Sequence, residues 1–209
     1  MYGLVVKFAA YTGLRAAEIE GLQVGDISTT HVTVARSSDG TVKSRTSRRK
    51  VPLTAWLADD LTIYLENHPR ADDKSAPLFP SRYGRNVKGV SRATDADTYN
   101  WDKPIDLATF YANYFKPALK ALGLPVTDAK TKTRGVRFHD LRHTFAVLNL
   151  TAGVHFMQVS KWLGHASFTI TLNTYGDFIP TEEVTITLDR PTAPETTNVV
   201  SLPARRATQ

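Results

Sequence analysis

Apolar positions along the 209-residue chain recur with a helical period over residues 4–11, about 15–22, and 55–66, where Trp56, Leu57, Leu61 and Leu65 fall on one side. The same period returns over 107–122 and then in close succession over about 140–152, 154–163 and 167–175. Gly13, Gly123, Gly153 and Gly164 stand just past such runs, where chains commonly leave a helix through the left-handed region; Gly25 and His68-Pro69 are further stops, and Ser167 is a good N-cap. Three runs instead have β character, at 31–35, 41–43 and 50–53, and Asp39-Gly40 between the first two signals a hairpin. Pro52 places the last run at an edge. The pattern predicts an α+β fold, mainly helical with a small three-stranded antiparallel sheet. Residues 72–106 are polar and punctuated by Pro77, Pro80, Gly84 and Gly89, which predicts a long surface connection. After Pro180 the text changes: 184–188 alternates like a lone strand, and 190–209 is rich in Pro, Thr and Ala and expected to be disordered. The chain therefore divides into a folded domain over 1–180 and a tail over 181–209, with no internal repeat.

Hydrophobic residues at 42% and charged residues at 22% are those of an ordinary globular protein. The absence of cysteine excludes disulfides and thiolate metal sites, and fits a reducing interior. The apolar run after Met1 is too short for a signal core and no membrane-length stretch follows, so a cytoplasmic location and no membrane partner are expected. The net charge of +6 matters less than its distribution. Arg36, Lys43, Arg45, Arg48, Arg49 and Lys50 face Asp39 alone, and Lys130, Lys132, Arg134, Arg137 and Arg142 face Asp140 alone. Two such clusters favour a polyanion held through its phosphates.

Four short blocks carry the chemistry: Thr12-Gly-Leu-Arg15-Ala-Ala-Glu18, the Lys43 segment, His139-Asp-Leu-Arg142-His143, and Leu163-Gly-His165 with Tyr175 beyond it. His139, Arg142 and His143 share one face at the start of a helix, a place already suited to an anion. That helix continues through Leu141, Phe145, Ala146, Val147, Leu148 and Leu150, apolar nearly all round, and is expected to be buried. His139 and His143 also have the spacing of two zinc ligands, but an arginine between them opposes a cation, and no metal is expected. Taken singly, Arg15 and Glu18 could be a surface pair, Lys43 a solvated loop charge and Tyr175 a core aromatic. The order and spacing of the blocks argue for a joint role.

The set resembles the catalytic domain of the tyrosine recombinases, the phage-integrase family of site-specific DNA recombinases. Thr12-Gly-Leu-Arg-Ala-Ala-Glu-Ile-Glu-Gly-Leu resembles its first arginine box, and Lys43-Ser-Arg-Thr-Ser-Arg-Arg-Lys-Val-Pro-Leu its lysine hairpin. Phe138-His-Asp-Leu-Arg-His-Thr-Phe-Ala, Leu163-Gly-His-Ala-Ser and Asn173-Thr-Tyr175 resemble the remaining boxes and the nucleophile. The wording around 165–180 is similar to actinobacterial phage integrases.

The resemblance implies that Arg15, Arg142, His139 and His165 surround a scissile phosphate, that Tyr175 attacks phosphorus, and that Lys43 protonates the leaving 5′-oxygen. His139 is the implied base, with Glu18 and His143 holding the arginine and histidine in place. Arg36, Arg45, Arg48, Arg49, Lys50, Lys132, Arg134 and Arg137 are the expected DNA contacts. Double-stranded attachment sites, a homo-tetramer on DNA and a monomer without it, and no cofactor complete the expectation. Family members carry DNA-binding domains ahead of this region, so a separated catalytic domain is expected, and 184–188 is expected to add a strand in cis or in trans. A type IB topoisomerase-like activity, a catalytically silent DNA-binding regulator and a metal-dependent nuclease are the alternatives.

Overall fold

The computed structural model describes residues 1–38, 40–41, 48–83, 98–127 and 132–179. Helix α1 (Tyr2–Thr12) ends at Gly13, whose φ of 63° is left-handed, as its position in the sequence predicts. A Cβ at Gly13 would stand 2.4 Å from the Phe145 ring, so glycine is required here for conformation and for space. Helix α2 (Ala16–Glu20) follows at once, started by Arg15. Strands β1 (His31–Val34), β2 (Arg36–Ser37), β3 (Gly40–Thr41) and β4 (Arg49–Pro52) come next, then α3 (Ala55–Glu66).

The three predicted β runs do not line up as three strands of one sheet. β1 pairs with β4 and β2 with β3, both antiparallel, so among the described residues one hairpin pairs in two stretches. His31 faces Pro52 and Val34 faces Arg49, whereas Arg36 faces Thr41. The returning arm thus has more residues than the outgoing one; of the predicted run at 41–43, Thr41 pairs with Arg36, and 42–43 lie outside the described residues. Residues 72–106, predicted as irregular, contribute a further antiparallel pair, β5 (Pro80–Arg82) with β6 (Tyr99–Pro104). Prolines at both ends and the charged residues on β6 mask its alternation.

The predicted helix over 107–122 is built as α4 (Leu107–Phe110), a wide π-turn (Tyr111–Phe115) and α5 (Lys116–Ala121). Pro117 lacks the N–H that would close the regular ladder there, which accounts for the widened turn. Helices α6 (Asp140–Thr151), α7 (Phe156–Leu163) and α8 (Phe168–Tyr175) match the last three predictions closely, and the Ser167 hydroxyl caps α8. α6 is not buried all round: it buries Arg142, Phe145, Ala146 and Leu150 but leaves Leu148 45% exposed. Among the described residues no helix is long and apolar enough to cross a membrane. Residues 180–209, with the predicted strand at 184–188, lie outside the described residues.

Val5, Phe8 and Ala9 of α1, Leu57 and Leu61 of α3, Val32, Val34 and Val51 of the hairpin, and Phe145, Ala146 and Leu150 of α6 form one core with Leu78 and Phe79. The core brings α2, β4 and the end of α7 together around Glu18, which is 3% exposed. Arg49 of β4 clasps it through two hydrogen bonds of 2.8 Å, one to each carboxylate oxygen, and Arg15 adds its backbone N–H and a guanidinium contact at 3.2 Å. Burial alone would raise the Glu18 carboxyl, but Arg49, with Arg15 behind it, outweighs burial and holds it below the ordinary carboxylate range.

Glu18→Ala leaves buried cations uncompensated and is expected to cost about 3–5 kcal/mol, measured by urea unfolding. Because the carboxyl is held low in the folded state, its contribution to stability is fully present above the unfolded carboxylate range and is lost as pH falls through the lower folded value. The acid limb of the stability profile should therefore flatten in Glu18→Gln.

Candidate active site

The last carbonyls of a helix lack intrahelical donors and carry the negative end of its dipole. At the end of α7 three arginines from three other elements supply those donors. Arg142 of α6 donates through Nη2 to the Leu163 carbonyl at 2.7 Å and through Nη1 to the Gly13 carbonyl at 2.7 Å. Arg15 donates to the same Leu163 oxygen and to the Gly164 carbonyl, both at 3.4 Å. Arg49 donates through Nε to the Trp162 carbonyl. The two arginines that the sequence assigns to one phosphate thus meet on one carbonyl oxygen.

Their exposure differs in a useful way. The Arg15 side chain is 42% exposed, that of Arg49 only 6%, and Arg142 as a residue 3%. Three guanidinium groups against the Glu18 carboxylate leave a surplus of positive charge at an accessible face, which is the electrostatic description of an anion site. Burial, then Arg15, weaken the hold of Arg142 on its proton, but a guanidinium stays charged at neutral pH. His165, next after Gly164, is pulled down to about 4 by burial and by Arg142, Arg15 and Arg49, so it is a neutral imidazole at physiological pH. Its Nδ1 lies 2.8 Å from the Thr171 hydroxyl. With that hydroxyl donating, the ring proton sits on Nε2, free to bond an oxyanion.

Tyr175 closes α8 and is 5% exposed. Burial raises its phenol and the charge of Arg142 opposes the rise, so the hydroxyl lies within the field of the arginine. The family resemblance implies His139 as the base, yet the hydroxyl lies 2.6 Å from Nδ1 of His143. His139 stands at the N-cap of α6 with its ring exposed, 5.1 Å from that of His143 between centroids. Of the two histidines, one helical turn apart, His143 is the one that meets the end of α8.

Arg49 requires a correction. The sequence groups it with the DNA contacts, but its guanidinium is buried on Glu18 and the end of α7. Gly164, with φ of 66°, makes room for it: a Cβ there would stand 2.8 Å from Nη1 of Arg49. Arg36 and Arg137 are ion-paired with Asp26 and Asp140, whereas Arg48, Lys50, Lys132 and Arg134 are exposed. Lys43 and Arg45 lie outside the described residues. Thr171, four positions before Tyr175, is a side chain of the site that the sequence does not single out: it is one of three threonines in α8, and only its complete burial against His165 distinguishes it. A cavity of about 610 Å³ lined by Tyr2, Arg82, Phe110 and Tyr114 shares no residue with this site.

The Phage integrase family profile matches residues 2–179. A tyrosine recombinase XerC-like protein of Caldanaerobacter subterraneus subsp. tengcongensis is 27% identical over 192 residues, covering 82% of this chain and 44% of that protein. The chain thus spans less than half the length of this relative. The fold superposes on XerA recombinase with a TM-score of 0.53 at 23% identity, over 86% of this chain and 58% of that one. It superposes on the Tn1549 transposon integrase, solved in complex with transposon right end DNA, with a TM-score of 0.55 at 21% identity, over 82% and 53%. At those identities the superpositions establish the fold, and the profile, running from α1 past Tyr175, establishes the kinship: the chain belongs to the phage integrase family.

Proposed function

We propose that this chain is the catalytic domain of a site-specific DNA recombinase that cuts and rejoins strands through a 3′-phosphotyrosyl intermediate. The observation that carries the reading is the meeting of Arg15 and Arg142 on the Leu163 carbonyl, with the Tyr175 hydroxyl inside the field of Arg142. A phosphodiester seated on the exposed side of Arg15 has its non-bridging oxygens within reach of guanidinium and imidazole donors, the arrangement that stabilises charge growing in a pentavalent transition state. The Tyr175 oxygen attacks phosphorus, the 3′-phosphate becomes esterified to the phenol, and the 5′-oxygen leaves with a proton from Lys43. The ester keeps the energy of the broken bond, so rejoining needs no nucleotide. A metal ion at the same place would meet three guanidinium groups whose nearest carboxylate is already clasped, which favours the metal-free route.

The substrate on this reading is double-stranded DNA carrying attachment sites, with phage DNA integration as the biological setting and a homo-tetramer on paired sites as the working assembly. Arg48, Lys50, Lys132 and Arg134, all exposed, are the side chains available to the phosphate backbone.

Tyr175→Phe is expected to bind DNA as the parent does and to form no covalent adduct on a nicked suicide duplex resolved on a denaturing gel. An adduct in that variant would place the nucleophile elsewhere. Lys43→Ala should regain cleavage on a duplex whose leaving group is a 5′-thiolate, which needs no proton; persistent inactivity on that substrate would move the acid role to another residue.

A further inference from the structure

The Tyr175 phenol is a poor nucleophile until its proton is taken up, and the acceptor is not fixed by the spacing of the boxes. His139 and His143 lie on the same helix four residues apart, and either could serve on sequence grounds. The geometry separates them. The Tyr175 oxygen lies 2.6 Å from Nδ1 of His143, and the two rings are tilted by 56° with centroids 5.7 Å apart, so the hydroxyl meets a ring nitrogen. His139 is an exposed residue whose ring lies edge-on to that of His143, with no hydrogen bond to Tyr175 among the described contacts.

Resting on the recombinase reading, we propose that His143 is a catalytic residue, the general base that accepts the phenolic proton of Tyr175, and that His139 bonds the phosphate instead. With the imidazole proton on Nε2, the Nδ1 lone pair receives the Tyr175 proton as the tyrosine oxygen bonds to phosphorus. The bond from phosphorus to the 5′-oxygen breaks, and its electron pair leaves on that oxygen, which takes its proton from Lys43. In rejoining, the 5′-hydroxyl attacks, the phenolate leaves, and the His143 imidazolium returns the proton to it.

Charged groups of both signs stand around His143. Asp140, one turn back on α6, is close enough to interact with His143 electrostatically, and Arg137 holds its carboxylate charged. His139 on the same helix repels a charged His143, Arg142 is the next cation on that helix, Tyr175 faces His143 from α8, and Asp177 lies on the turn (Gly176–Phe178) packed against α6. The positive charge formed on His143 thus has a carboxylate neighbour on its own helix.

The test is single-turnover adduct formation on a nicked duplex bearing the chain's attachment sequence, obtained by selection from a random pool. Rates are taken across roughly pH 5 to 9, the span in which imidazole and phenol exchange protons. The parent rate should fall toward acid as the base fills with a proton. His143→Gln, which keeps a hydrogen-bonding group but holds no proton, should slow cleavage by about 10²–10³-fold and lose the acid limb, with DNA binding and melting temperature retained. Replacing Tyr175 in that variant by a fluorinated tyrosine, whose phenol is more acidic, should restore part of the rate. His139→Gln should be slower than the parent yet keep the limb. An intact limb in His143→Gln, no gain from the fluorinated phenol, or loss of the limb in His139→Gln would each overturn the assignment while leaving the recombinase reading in place. Absence of any adduct from the parent at every pH would overturn that reading itself, and this assignment with it.

Discussion

Guanidinium groups gathered at one place in a protein interior repel one another, and here the Glu18 carboxylate lets them coexist. It accepts two hydrogen bonds from Arg49, two more from Arg15, and is felt by Arg142. Its burial would be unfavourable for an isolated charge, and the arginines reverse that sign. The carboxylate and the cations therefore require each other. Because Glu18 belongs to α2 and Arg49 to β4, the same contact joins the first arginine box to the hairpin that continues into the Lys43 segment.

The second support comes from α7. Its terminal carbonyls need donors, and Arg15, Arg49 and Arg142 provide them. The arginine cluster is thereby anchored to the backbone on its inner side while Arg15 stays partly exposed on the outer side. The turn carrying Gly164 and His165 is fixed by the same bonds, and α8 starts from it with Ser167 as cap. The position of Tyr175 relative to the arginines thus follows from how one helix ends and the next begins.

Much of this was legible in the residues. Helices α6, α7 and α8 carry a glycine or serine at their boundaries, so pattern and structure agree within a few residues. Prolines and charges mask the alternation of the β5–β6 pair, and although Asp39-Gly40 marks the hairpin, period-two runs do not reveal which partner each will find, so the split into two pairs was not legible. The site shows the same limit. Spacing put His139, Arg142 and His143 on one face, but which ring meets Tyr175 depends on the approach of α8, a tertiary fact. Arg49 stands among basic residues of identical appearance, and only the proximity of Glu18 and the absence of a side chain at Gly164 single it out.

That inward-turned arginine changes how the basic segments should be counted. Arg36, Arg49 and Arg137 each face a carboxylate of the same chain, so their charges are matched before any polyanion arrives. The counterions displaced by a bound duplex scale with the charges that meet phosphates, and a tally of lysines and arginines would overstate that number. Ionic strength should accordingly act on this face more gently than the composition of its two basic stretches implies.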